Sequence, residues 1–496
     1  MIEAAAAGLL PLMEGDDLRL VVAPRGAAAR RLTQLIKDNP EWARRLSFTS
    51  ADHLNRFILL AAGQALAERA SNALKQRWPE LAAGTPRPPG RIVIATSIGG
   101  IALAIGALAP AATLLTIEVL LATLFLSWLG LRLAGVFVAA PMLKPLRHVP
   151  PETLPTYSII AALYREAASV DGLKLEVILA VEADDEETQA AIAKRTSRMP
   201  VTVVARLCID NTDDSWLTRL FTAEYAAQFD VFLGGLAAFH LPLPLGGSSN
   251  HFRTAILRKI GAWDPYNVTE DADLGMRLAR FGYRSGLIAS TTYEEAPAAL
   301  GPWLRQRTRW LKGWIQTWGV HMRKPLRLGR ELGLPGFLSV QLVVGGNVLA
   351  ALVHPLFTAA LIDAAMQDTS LWLLAIYGSS ALCGYIASVA LGWLGLARRG
   401  LLTKAWALLL TPLHWLLLSL AAWRALYQLI VSPYTWEKTT HGLAKSSRRA
   451  DQTTRALLEL ERHLRNLMAS GNLPTLPAEM TVKRPVRVYH MAQRAS

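Results

Sequence analysis

An α/β domain held between membrane-crossing α-helices, with a small α/β domain ahead of it, is the architecture this amino-acid sequence predicts. Three observations carry it. Apolar residues gather in blocks of about 20, the length that crosses a bilayer core as a helix, instead of spreading evenly through the chain. Strand-length apolar runs ending in polar residues fill the region between the second and third blocks. Basic residues flank the blocks on a consistent side. The 496 residues are 52% hydrophobic and only 18% charged, against roughly 25% charged in soluble domains.

Composition removes several classes at once. Cys208 and Cys383 are the only cysteines, far apart and without ligand spacing, so neither a disulfide framework nor a zinc site is available. Lys and Arg outnumber Asp and Glu by 52 to 38. The basic residues border the apolar blocks and form no separate basic, aromatic-laced groove. The excess therefore points to anionic membrane lipids and not to nucleic acid.

Taken in order, residues 1–90 read as a soluble N-terminal domain. "LRLVVAP" (18–24) has strand character, and Ala51–Trp78 has an amphipathic helical pattern. Met1–Ala7 has no basic n-region, so no signal peptide is expected. "GTPRPPGR" (84–91) is a Pro/Gly linker into a transmembrane hairpin at 91–139. Ile92–Pro110 lacks ionisable residues there, and Ala111–Leu131 contains only Glu118. The C-terminal transmembrane region, 336–431, contains Phe337–Ile362 and Leu371–Ala397. A further stretch, Ala405–Trp423, is interrupted by Pro412.

Arg87 and Arg91 precede the first span, Arg323, Lys324, Arg327 and Arg330 the third, and Arg398, Arg399 and Lys404 follow the fourth. The loop between the third and fourth has only Asp363 and Asp368. The positive-inside rule then makes 1–90 and 140–335 cytoplasmic, in a multi-pass protein of a bacterial-type inner membrane. The tail 432–496 has 11 Lys/Arg against 5 Asp/Glu, which also favours the inside. To keep it there, 405–431 is expected to be re-entrant or interfacial.

The block 140–335 bears the chemistry. "TYSIIAALYRE" (156–166), "LEVILAVEADD" (175–185) and "VTVVARL" (201–207) are strand candidates. Ligands of open parallel sheets bind beyond strand carboxyl ends, which puts Tyr164, Arg165, Glu166, Glu182, Asp184 and Asp185 on a common rim. Acids after a strand also simply solvate turns. "LPLGGSSNHF" (243–252) offers a Gly-Gly turn, then Ser248, Ser249 and Asn250, suited to close approach of a polyhydroxyl ligand. In "VTEDADLGMRLARFGY" (268–283), Thr269 can cap a helix whose first turn is acidic, an arrangement the helix dipole favours by itself. "LRQRTRWLKGWIQTW" (304–318) sets Gln306, Arg307, Arg309 and Trp310 before a basic, aromatic stretch. It reads either as a membrane-interface helix or as an arginine clamp for a diphosphate beside a Trp face for a sugar.

The order Asp184/Asp185, then TED at Thr269–Asp271, then QRTRW at Gln306–Trp310, with spans on both sides, resembles the membrane-integrated family 2 glycosyltransferases. These include relatives of the cellulose, hyaluronan and chitin synthases. "SPYTWEKTTHG" (432–442) also resembles the segment after the last span in bacterial members. The resemblance implies a GT-A-like cytoplasmic domain that takes a nucleotide-diphosphate sugar, typically a UDP-sugar, and inverts at the anomeric carbon. It implies Asp271 as general base and Tyr164, Glu166, Asp184 and Asp185 around the nucleotide. Glu270, Gln306, Arg307, Arg309 and Trp310, with Ser248, Ser249 and Asn250, then serve the diphosphate and a polysaccharide or lipid-linked acceptor.

One family element is missing. No DxD stands between Asp185 and Thr269, although the family binds a divalent cation (Mg²⁺ or Mn²⁺) there. The acidic cluster "CIDNTDDSW" (208–216) holds Asp210, Asp213 and Asp214, of which Asp210 and Asp213 are the candidate substitute ligands, and the domain is shorter than a complete one. Two readings follow: an active transferase, or a catalytically degenerate subunit beside a partner synthase. A transporter would build its site from charges within spans, where only Glu118, His354 and His414 occur.

Overall fold

The computed structural model describes residues 9–14, 17–23, 32–34, 36–86, 107–138, 142–143, 202–366, 371–437 and 443–447, with isolated positions 100, 104 and 439. All but Ser447 belong to one compact unit, Met1–Ser446. The expected strands at 156–166 and 175–185, most of the first span and nearly all the basic tail lie outside the described residues.

At the N-terminus β1 (Leu9–Glu14) pairs antiparallel with β2 (Asp17–Val22), and β3 (Leu46–Phe48) joins β2 in parallel. The strand read at 18–24 is therefore present. Helix α1 (Ala51–Arg77) begins at Ser50, whose hydroxyl accepts the His53 N–H at 3.2 Å, an N-cap that satisfies one orphan donor. Leu54 and Ile58 pack on Leu10 and Ala23. Phe57 and Leu60 are exposed, so the apolar residues of α1 do not form the single stripe that an amphipathic pattern implies. Past α1 the chain is tied down: the Arg323 guanidinium donates to the carbonyls of Pro79, Ala82 and Thr85, and Asp264 accepts the Ala83 N–H at 2.6 Å.

The second sheet has the order β4 (Met142–Leu143), β7 (Ser285–Glu294), β5 (Thr202–Ile209), β6 (Asn250–Phe252). The first three run parallel and β6 antiparallel. The run read at 201–207 is thus a strand, β5. Helix α2 (Pro110–Phe137) precedes β4, while α3 (Trp216–Ala227), α4 (Leu233–Ala238), α5 (Thr254–Lys259) and α6 (Glu270–Arg280) are interleaved with β5–β7. A Ser215–Thr218 capping box starts α3. Val204 and Leu207 of β5, Leu287 of β7, and Leu274 and Leu278 of α6 share one core with Phe229 and Leu233. Because β5 and β7 are parallel, Ile209 and Glu294 end at the same edge.

Helices α7 (Leu300–His321), α8 (Pro325–Val340), α9 (Asn347–Met366), α10 (Leu371–Arg398) and α11 (Thr411–Val431) complete the described chain. Among the described residues, four stretches are long and apolar enough to cross a membrane: Val119–Phe137, Pro325–Asp363, Gly378–Arg398 and Leu402–Val431. The last includes 405–431, the stretch expected to be re-entrant or interfacial. Pro412 stands at the first turn of α11, where its missing N–H costs nothing, so it starts the helix that it was expected to interrupt. Helix α2 meets α4 at Gly135 and Gly235, so closely that a Cβ on Gly235 would lie 2.4 Å from the Gly135 Cα.

Candidate active site

The acidic turn is built from α7. Asn267 donates to Thr317 Oγ1 at 2.9 Å and accepts the Thr269 N–H at 3.0 Å, while Gln316 Oε1 accepts the Val268 N–H at 3.1 Å. Thr269 does not cap α6 through its side chain; it packs on Gly313, where a Cβ would fall 2.3 Å from Thr269 Oγ1. Only a glycine lets α7 approach the turn this closely.

From this turn the carboxylates diverge. Asp273 points into the protein, 2.8 Å from Arg277 Nε and 3.1 Å from His321 Nε2, all three essentially without exposure. Burial raises its pKa, but Arg277 and His321 outweigh that and hold it below the usual carboxylate range. Asp271 instead faces a cavity. Burial first, then the Glu270 charge, push it up to about 7, against the backbone N–H donors and Arg309. Its Oδ1 accepts the Ala272 N–H at 2.7 Å. A carboxylate poised near neutrality is matched to proton abstraction at physiological pH.

The cavity, of about 860 Å³, is lined by Glu270, Asp271, Gly246, Gly247, Ser248, Glu294, Glu295, Gln306, Arg307, Arg309 and Trp310, among others. Its volume is that of small-molecule sites. Gln306 is 6% exposed, and its Oε1 has no hydrogen-bond partner among the described residues. Such a buried acceptor costs free energy unless something donates to it. The Arg309 guanidinium lies 4.5 Å from the Trp436 ring and feels the charges of Glu270 and Asp271.

Arg307 is committed elsewhere. It makes a bidentate pair with Glu224 (2.7 and 2.5 Å) and lies over Phe221, Trp310 and Trp303 at 4.3, 4.9 and 5.4 Å. Both ends of its fork are spent inside the protein, so it shapes the wall. Trp310 is stacked against Tyr225, with ring centroids 6.5 Å apart. Ser248 donates to Glu294 on the cavity wall. Ser249 and Asn250 lie at the sheet edge: Ser249 bonds Thr292, and Asn250 donates to the Gly246 carbonyl. Tyr164, Glu166, Asp184 and Asp185 lie outside the described residues.

The segment after α11 crosses beside this site. Lys312 Nζ holds the carbonyls of Ser432 and Thr435, and Gln316 Nε2 that of Pro433. Gln316 thus joins the acidic turn to the segment carrying Trp436. Glu437 is clamped by Arg424 at 2.7 and 2.6 Å. Sequence reasoning passed over Glu224, Glu294, Glu295 and Trp436. For Glu294 and Glu295 a signal existed, since "STTYEE" (290–295) ends a strand in acids at the same rim.

A divalent cation does not fit the donors proposed for it. Asp213 is paired with Lys404 and with Arg219, so its charge is already balanced. Neither Asp210 nor Asp213 is among the cavity-lining residues. The described residues hold no group of three or more His, Cys, Asp or Glu placed to bind a metal.

Residues 197–436 match the family model described as Glycosyl transferase family group 2. The chain is similar to the probable glycosyltransferase YdaM of Bacillus subtilis, 30% identical over 112 residues, 22% of this chain and 27% of that protein. It is 24% identical over 184 residues to an N-acetylglucosaminyltransferase of Azorhizobium caulinodans, 34% of this chain and 46% of that one. To the beta-monoglucosyldiacylglycerol synthase of Synechocystis it is 26% identical over 147 residues, 27% and 29% of the two chains. The matched regions cover less than half the length of each relative.

Proposed function

We propose that this protein is an inverting glycosyltransferase of a bacterial-type inner membrane. It moves a sugar from a nucleotide-diphosphate sugar, a UDP-sugar first of all, to a polysaccharide or lipid-linked acceptor at the cytoplasmic face. The observation that carries the reading is Asp271, a carboxylate held near pKa 7 on the wall of a cavity it shares with Arg309 and with Gln306, whose Oε1 has no partner among the described residues. Asp271 takes the proton of the acceptor hydroxyl. The acceptor oxygen bonds to the anomeric carbon from the face opposite the leaving group, and the bond from that carbon to the diphosphate oxygen breaks. The nucleoside diphosphate leaves with the electron pair, its charge met by Arg309 and a hydrogen bond from the Gln306 amide. Tyr164, Glu166, Asp184 and Asp185 hold the nucleoside, Glu270 and Trp310 bound the acceptor end, and no step is routed through a metal.

A second reading, a degenerate subunit that binds acceptor beside a complete synthase, is favoured by the missing DxD and by the pairing of Asp213 with two cations. UDP release by purified protein over a panel of UDP-sugars, with Mn²⁺, Mg²⁺ or EDTA, separates the two. Release that disappears in Asp271→Asn supports the transferase. No release from folded protein with any donor supports the subunit.

A further inference from the structure

The cavity does not stop at the carboxylates. From α9 its wall includes Asn347, Ala351, His354, Thr358 and Leu361, spaced three or four residues apart and therefore on one helix face. Fourteen residues at 1.5 Å each make this limb roughly 21 Å long, about two-thirds of a bilayer core. Residues of α2, α10 and α11, including Phe125, Tyr385 and Trp415, line it as well.

Its chemistry distinguishes between occupants. Several polar groups on its wall are spent within the protein: Thr358 donates to the His354 carbonyl at 2.8 Å, Thr411 to the Leu408 carbonyl at 2.5 Å, and His354 Nε2 pairs with the Tyr385 hydroxyl at 2.8 Å; Asn347, Ser380 and Ser388 add a few small polar side chains. The Trp415 ring packs against Tyr385, His354 and Phe125, with centroids at 4.9, 5.3 and 6.3 Å. A glycan carries several hydroxyls per ring, each costly to bury without a partner, and it needs an open aromatic face. His354 Nδ1 and His414 Nε2 are the unpartnered ring nitrogens on this wall among the described residues, enough for one or two polar atoms of a head group. The remaining wall, with Leu121, Phe357 and Leu418, is what a hydrocarbon chain requires.

We propose that the limb seats the hydrocarbon chain of a lipid acceptor, whose hydroxyl-bearing head reaches Asp271. The proposal rests on the reading of the site as a sugar-transfer centre within a membrane and names its acceptor class.

The test uses the full chain in lipid nanodiscs with a diacylglycerol carrying a diazirine midway along one acyl chain. After irradiation, labelled peptides are mapped by mass spectrometry. The expected result is labelling at Phe357, Leu361 or Leu121 that excess dioleoylglycerol removes and that falls at least tenfold in Ala351→Trp, with Leu361→Trp as the alternative if that variant does not fold. Labelling confined to outward residues such as Leu382, Ile386 and Trp393, insensitive to dioleoylglycerol, would overturn the proposal. So would removal of the limb label by an N-acetylglucosamine pentasaccharide and not by the lipid. UDP release is measured in parallel: limb labelling without UDP release refutes the transferase alone, and UDP release without limb labelling refutes the lipid acceptor alone.

Discussion

Arg307→Lys separates a wall residue from a diphosphate ligand. The guanidinium is 6% exposed and grips a Glu224 carboxylate that is 34% exposed. Lysine keeps the charge and loses the fork. One charge-assisted hydrogen bond of the two is forfeited, worth about 1.5–3 kcal/mol. The planar contact over Phe221 at 4.3 Å and Trp310 at 4.9 Å adds about 0.5–2 kcal/mol. Together this is a loss of roughly 2–5 kcal/mol. In a domain of ordinary size that lowers the thermal midpoint by something on the order of 5–10 °C, read by tryptophan fluorescence in detergent. Donor KM should stay within about twofold, since no interaction with the diphosphate is removed. A normal midpoint with a tenfold higher donor KM would refute the argument and return Arg307 to the donor.

Further outcomes follow from the acidic turn. Asp273→Asn leaves Arg277 buried without its counter-charge and should cost about 3–5 kcal/mol; adding Arg277→Gln should cost less than the sum of the two single changes. His321 is kept neutral by burial, its pKa below the usual 6.5, so unfolding takes up a proton below that value. Stability conferred by a depressed pKa is lost as pH falls, and the thermal midpoint should drop below about pH 6.5, less so in His321→Gln. Gly313→Ala drives a methyl group into Thr269 and displaces the turn that carries Asp271. Misplacement by about 1 Å costs on the order of a hundredfold in rate, so turnover should collapse, while the overpacking itself should cost about 1–3 kcal/mol of stability.

The sequence showed the architecture most clearly where one physical signal dominated. Nearly uncharged blocks of bilayer length marked α2, α9 and α10, and the run at 201–207 marked β5. The stretch 405–431 was read as re-entrant because of the basic tail that follows it; the effect of Pro412 there depends on its position, and at the first turn of α11 it starts a helix. TED and QRTRW fall on the wall of one cavity, but residue type did not separate Arg309, which feels the Asp271 charge, from Arg307, which is absorbed by Glu224. That distinction depends on α3, a helix about 80 residues earlier in the chain. The limb along α9 was illegible for a similar reason: a cavity belongs to four helices together, and His354 and His414 read singly as isolated histidines.

The central claim is that Asp271 is the base of a sugar transfer, and the most direct measurement is UDP release as a function of pH in the wild type and Asp271→Asn. With the carboxyl near 7, release should fall about tenfold per pH unit below neutrality. The Asn variant should lose about 10²–10⁴ of the rate and the pH dependence with it, at unchanged thermal stability. Equal rates in the two proteins, or an ascending limb that persists in Asp271→Asn, would contradict it.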